Sequence, residues 1–105
     1  MAGDRPRICV AITGDDAEPV RRVEPLADLF EVRIDLVGPG WPEVARRLEK
    51  PWLATNRRRE EGGAWQGSEG ERVRELLRAL DLGASMVDIE LATPGLADVV
   101  GTIKE

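Results

Sequence analysis

Any chemistry in this sequence must run on carboxylates, arginines or its two lysines, Lys50 and Lys104. Histidine is absent and Cys9 is the only cysteine, which removes zinc-finger spacings, Ser-His-Asp triads, Cys-His dyads and intrachain disulfides together. The densest set of reactive types is the segment Phe30 to Leu36, where Glu31, Arg33 and Asp35 alternate with Val32, Ile34 and Leu36. Strand side chains point to alternate faces, so as a strand this segment puts three charges on one face and three aliphatics on the other. Met86 to Leu91 repeats the division, with Val87, Ile89 and Leu91 against Asp88 and Glu90, and Thr55 is in phase with Arg57. The bland alternative is a sheet with one solvated face. Two strands with the same division favour convergence on a common hollow, where buried carboxylates and guanidiniums persist only when paired. An arginine left in excess there suits an anionic or hydroxyl-rich ligand, because its planar fork of donors matches a carboxylate.

The loop Thr55-Asn56-Arg57-Arg58-Arg59-Glu60-Glu61-Gly62-Gly63 follows a strand, so it falls at the C-terminal end of a parallel sheet, where such folds build their sites. Arg57 and Glu61 are the site candidates in it. Arg58, Arg59 and Glu60 read as solvated, and the loop through Gly67 reads as mobile. Trp41 and Trp52 read as core; Trp65, beside a glycine-rich turn, fits a packing residue or part of a lid. Cys9 reads as a small buried hydrophobe, and both lysines as surface residues.

The elements that must position these side chains alternate β-branched runs with helical stretches, the pattern of βα units around a parallel sheet. Four strands are predicted, Arg7 to Ile12, Phe30 to Leu36, Trp52 to Asn56 and Met86 to Leu91. Asp15 or Asp16 caps a first helix that holds Pro19 in its first turn and ends at Pro25. A second begins at Pro42 with Val44, Ala45 and Leu48 inward. Ser68 and Glu71 form a capping box for a third, with Val73, Leu76, Leu77 and Leu80 as its stripe and Gly83 as its stop. A fourth starts at Thr93-Pro94 and presents Leu96, Val100 and Ile103.

With 105 residues the chain is one domain or part of one, too short for a (β/α)8 barrel of roughly 250 residues. A hydrophobic fraction of 42% argues for a packed core and against disorder. No window approaches the ~18 apolar residues of a membrane helix, and the N-terminus lacks a secretory signal, so the cytosol is expected. The net charge of -5 disfavours nucleic-acid binding; the one basic run, Arg57 to Arg59, meets Glu60-Glu61 at once.

These residues resemble a known family. The Ile8-Cys9-Val10-Ala11-Ile12 strand, Glu31-Val32-Arg33-Ile34-Asp35, the Thr55-Asn56-Arg57 strand end running to Glu61-Gly62-Gly63, and Val87-Asp88-Ile89-Glu90-Leu91 look like type I 3-dehydroquinate dehydratase in order and spacing. The likeness covers nearly the whole chain and reaches the first half of that family's barrel, which implies an α/β fold, a parallel (βα)4 half of a TIM (β/α)8 barrel, as a single domain over 1–105. It implies a lyase of the shikimate pathway that converts 3-dehydroquinate to 3-dehydroshikimate through a lysine Schiff base, with a histidine shuttling protons and no metal or cofactor. Residue by residue it implies that Glu31, Arg33 and Arg57 contact substrate hydroxyls, that Glu61 orients the histidine, and that Asp35, Asp88 and Glu90 are supporting charges. Family members often carry serine where this chain has Ala11.

The resemblance places the family's histidine and lysine on later strands, so the chain is expected to hold a substrate-binding half without its nucleophile and to be inactive alone. Neither Lys50 nor Lys104 has the desolvated or cationic setting an imine-forming lysine needs. A half barrel leaves two strand edges unpaired, so a homodimer or a complementary half-barrel partner is expected. Two other readings remain: a non-catalytic half-barrel assembly module, and a small carboxylate-binding α/β domain.

Overall fold

The computed structural model describes residues 5–90 and 93–104. Four parallel strands pair in sequence order, β1 (Cys9–Ile12), β2 (Leu29–Arg33), β3 (Trp52–Thr55) and β4 (Met86–Asp88). Between them run α1 (Ala17–Val23), a single turn α2 (Ile34–Val37), α3 (Trp41–Arg46), a 3-10 turn at Arg59–Glu61 and α4 (Glu69–Asp81); α5 (Leu96–Lys104) follows β4. Parallel neighbours need a crossover, and here each crossover carries a helix.

The helix starts are chemically local. Asp16 caps α1 by accepting from the Glu18 N–H, Pro42 lies in the first turn of α3, and Ser68 with Glu71 closes a reciprocal capping box on α4. Gly83 follows α4 at φ +106°, a conformation that a side chain would strain.

One face of the sheet is apolar throughout. Val10 and Ile12, Phe30 and Val32, Trp52 and Ala54, and Val87 meet Trp41, Val44 and Ala45 of α3 and Leu76 and Ala79 of α4 in one core. In register on the other face stand Ala11, Glu31 and Leu53 beside Met86, and Arg33 beside Thr55 and Asp88. Among the described residues no core helix packs on that face, and Met86 is half exposed on it.

The expected strand bounds and the burial of Cys9 need correction. The second strand stops at Arg33, not Leu36: the chain turns into α2 at Ile34 and leaves it at Gly38 with φ +89°, so Leu36 faces solvent while Ile34 stays buried. The first strand begins at Cys9, because Ile8 spends its backbone on the turn before β2, donating to Asp28 Oδ2 at 2.6 Å and accepting from Asp28 and Leu29. Cys9 is exposed, not buried, since it shares the helix-free face with Ala11 at the sheet edge. The third and fourth strands end at Thr55 and Asp88, short of the expected Asn56 and Leu91, the latter outside the described residues.

Leu76 is fully buried between α4 and the sheet. Leu76→Ala is expected to cost about 3 kcal/mol in urea unfolding, and Ser68→Ala about 1 kcal/mol through loss of the cap.

Candidate active-site face

The charged residues gather at the C-terminal end of the uncovered face. Glu31 Oε2 accepts a hydrogen bond from the Thr55 hydroxyl at 2.7 Å, which ties β2 to β3. Arg57, just past β3, donates to Asp88 Oδ2 at 2.8 Å, and its Nη1 lies 3.7 Å from Glu90 Oε1. Arg33 stands in register with Thr55 and Asp88, and the charges of Glu31 and Asp88 both act on its guanidinium. Glu31, Arg33, Arg57 and Asp88 thus share one partly exposed patch with two charges of each sign.

Asp35 holds a different position from the one its alternation suggests. Because the strand ends at Arg33, Asp35 sits on the α2 turn with its side chain fully buried. It takes a two-pronged hydrogen bond from Arg33, at 3.1 and 2.8 Å, and one from the Ala64 N–H at 3.0 Å. Burial pushes its carboxyl pKa up; the Arg33 hydrogen bond, the N–H groups of Ala64 and Arg57 and the Arg33 charge outweigh this and hold it below the usual value. Asp35 is the joint between the Arg33 guanidinium and the loop that carries Arg57.

That loop folds back on itself. The Gly63 N–H donates to Arg58 O and the Trp65 N–H to Arg57 O. Gly62 has φ +84°, and a Cβ on Gly63 would lie 2.1 Å from the Arg57 carbonyl oxygen; the Gly-Gly pair is required by one positive φ and one close approach. The Trp65 indole N–H donates to Ser68 O at 3.0 Å, fastening the loop to the start of α4.

Glu61 lies on the 3-10 turn, its side chain 38% exposed, with Oε1 3.2 Å from Arg58 Nη2. It meets neither Glu31 nor Arg33 through a hydrogen bond among the described residues. Arg58 is not solvated as expected: its side chain is 17% exposed and lies within 4.0 Å of Glu61, Glu69 and Glu90. Arg59 and Glu60 are exposed. Lys50 is also not a free surface residue; its Nζ donates to Ala27 O at 2.8 Å near the opposite, N-terminal end of β3. Partial burial and the Glu31 charge push the Cys9 thiol pKa up, away from the reactive thiolate.

The residue that sequence reasoning passed over is Arg72. Its side chain is fully buried on α4, where Nη1 donates to Glu90 Oε1 at 3.0 Å and to Asn56 O at 2.9 Å. Glu90 is buried with it. The spacing of Arg72, Leu76 and Ala79 on the inner face of the helix was the available signal. Among the described residues no group of three or more His, Cys, Asp or Glu is placed to hold a metal, and no helix is long and apolar enough to cross a membrane.

A family model for type I 3-dehydroquinase matches residues 8–105. A protein named 3-dehydroquinate dehydratase from Dehalococcoides mccartyi is 44% identical over 100 residues, covering 94% of this chain and 45% of that protein. Proteins of the same name from Methanothrix thermoacetophila and Methanothermobacter thermautotrophicus are 41% and 38% identical, over 82% and 83% of this chain and 39% and 43% of theirs. The chain spans less than half the length of each.

Asp35→Asn is expected to destabilise by about 2–3 kcal/mol at neutral pH, since it removes a charged acceptor and leaves Arg33 without its partner. Because the folded carboxyl is depressed, that stability is complete above the ordinary carboxylate range and is lost as pH falls through the lower folded value. The gap between wild type and variant in urea midpoints should therefore close in acid. Gly63→Ala is expected to lower the midpoint and to raise proteolytic cleavage within residues 57–67.

Proposed function

Because the chain belongs to the type I 3-dehydroquinase family, we propose that it supplies the N-terminal half of the substrate pocket of a 3-dehydroquinate dehydratase, a lyase of the shikimate pathway working in the cytoplasm. The observation that carries the reading is the gathering of Glu31, Arg33, Arg57 and Asp88 on the face that, among the described residues, no core helix packs on. In this reading residues 1–105 form a single (βα)4 half-barrel. Glu31, Arg33 and Arg57 bind the hydroxyl-rich, anionic substrate, and Asp35, Asp88 and Glu90 fix the two guanidiniums in place. Arginine is suited to this because its donors are planar and permanently charged.

Glu61 orients the histidine that shuttles protons, and the Schiff-base lysine attacks the substrate ketone; both partners are supplied from outside this sequence. Glu61 is half free for that task, with one exposed side and one ion pair to Arg58. Ala11, on the same face as Glu31, offers no hydroxyl, so substrate binding there depends the more on Glu31. A second half-barrel, from more of the same polypeptide, another copy or a complementary chain, covers the open face.

Four measurements test this. The chain alone should produce no ultraviolet absorbance from the conjugated enone when given 3-dehydroquinate, and borohydride should leave no adduct on Lys50 or Lys104; turnover or an adduct would refute the assignment of the missing roles. Titration with 3-dehydroshikimate should show binding that Arg57→Ala weakens about 10–100-fold, the loss of one charge-assisted contact. Equal affinity in both proteins, or none in either, would remove the case for a retained pocket. Light scattering of the chain alone should show self-association or a monomer that binds an apolar dye through its uncovered face; a stable monomer that binds no apolar dye would count against the covered face.

A further inference from the structure

We propose that Arg72 is a positioning residue of this site: from a fully buried place on α4 it sets where Arg57 can stand. Four partners hold its guanidinium. Nη1 donates to Asn56 O at 2.9 Å and to Glu90 Oε1 at 3.0 Å, Nη2 to Thr93 Oγ1 at 3.1 Å and Glu69 Oε2 at 3.0 Å, and Nε donates to Glu69 Oε1. The Arg72 backbone carbonyl in turn accepts from Asn56 Nδ2 at 3.3 Å. One side chain thereby fastens the residue before Arg57, the chain just beyond β4, Thr93 three residues before α5, and the first turn of α4.

Two features turn this cluster toward Arg57. Asn56 is pinned through both its backbone and its side chain, so the chain enters Arg57 from a fixed point. Glu90 Oε1, which accepts from Arg72, is the same oxygen that lies 3.7 Å from Arg57 Nη1. Glu90 stands among three guanidiniums, because Arg58 Nε is 3.9 Å from its other oxygen. Remove Arg72 and Glu90 becomes a buried carboxylate with weaker partners, free to turn to Arg58 or to draw Arg57 away from Asp88. A buried ion pair broken on one side is strongly unfavourable, so the group left behind rearranges. A lysine cannot replace the fork, because its single ammonium cannot span Asn56 O, Glu90, Thr93 and both Glu69 oxygens.

The inference rests on the reading of Arg57 as a substrate contact, yet its test needs no substrate. A chain that binds no 3-dehydroshikimate would fail that reading and leave the link from Arg72 to Arg57 to be decided separately. The measurement is hydrogen exchange at the Arg57 Nη2 hydrogens, which donate to Asp88, in the 15N-arginine-labelled chain, their resonances assigned with Arg57→Lys. In Arg72→Met, exchange at Arg57 should rise at least tenfold while the Phe30 and Val32 amides keep their protection, and Arg72→Lys should not restore it. Unchanged exchange at Arg57, full rescue by lysine, or an equal loss of protection at Phe30 and Val32 would each overturn the proposal. If Arg72→Met does not fold, Thr93→Val removes a single acceptor, and a rise of about threefold at Arg57 is expected; no change there would be decisive against it.

Discussion

The rest of this structure depends on the unbroken registration of four parallel strands. Because side chains alternate with a period of two, pairing Arg33 with Thr55 and Thr55 with Asp88 commits Phe30, Val32, Trp52 and Ala54 to the opposite face. A slip of one residue at β2 would send Glu31 and Arg33 into the helices and Phe30 and Val32 into the open. Burying Phe30, Val32 and Ala54 completely therefore fixes the charged face as firmly as the core. Each crossover helix reinforces the choice, since α3 and α4 can bury Trp41, Val44, Leu76 and Ala79 only against the apolar side.

At the C-terminal ends of the strands this division breaks down, and polar groups go inside. Asp35, Arg72 and Glu90 are buried, each at the end of an element where free backbone N–H and C=O groups also need partners. The arrangement is tolerated because every one of these charges is hydrogen-bonded to the opposite sign or to backbone: Asp35 to Arg33 and Ala64, Arg72 to Glu69, Glu90 and Asn56. An apolar set of the same volume would pack these ends at less electrostatic cost. What the charges add is direction. Arg33 and Arg57 are each held by a carboxylate at one edge of the guanidinium, so their forks are oriented before any ligand arrives.

The sequence made the strands and helix starts legible because their signals are local. Ser68 and Glu71 are three residues apart, Pro19 and Pro42 mark first turns, and Gly83 ends α4, none of which depends on distant contacts. The boundaries failed where local pattern and tertiary demand diverged. Val32, Ile34 and Leu36 alternate as a strand would, yet β3 offers a partner only to Thr55, and beyond Arg33 the chain coils into α2 to bring Asp35 to the loop. Arg58 looked solvated because its partners, Glu69 and Glu90, are distant in sequence. Arg72 is not legible as an inward residue because the leucines beside it carry the helix stripe, although an arginine can occupy that stripe when its fork is fully paired. The alternation of the chain places Glu31 and Arg33 on one face and Asp88 on the matching face of its strand, and the structure brings these together with Arg57.

The open face is neither an ordinary protein surface nor a core. Ala11, Leu53 and Met86 share one layer of it with Glu31, while Arg33 and Asp88 stand in the next layer and Arg57 just past β3, so charge becomes denser along the strand direction. A purely structural interface between two sheets would be expected to keep its buried centre apolar, because each unpaired charge brought there loses its hydration. A surface meant only for water would carry no exposed Met86 beside Leu53. This mixture of apolar and charge-balanced groups is what the proposed function reads as one wall of a pocket for a small polar molecule. That gradient, set by the register of the strands, is the feature on which the proposed function rests.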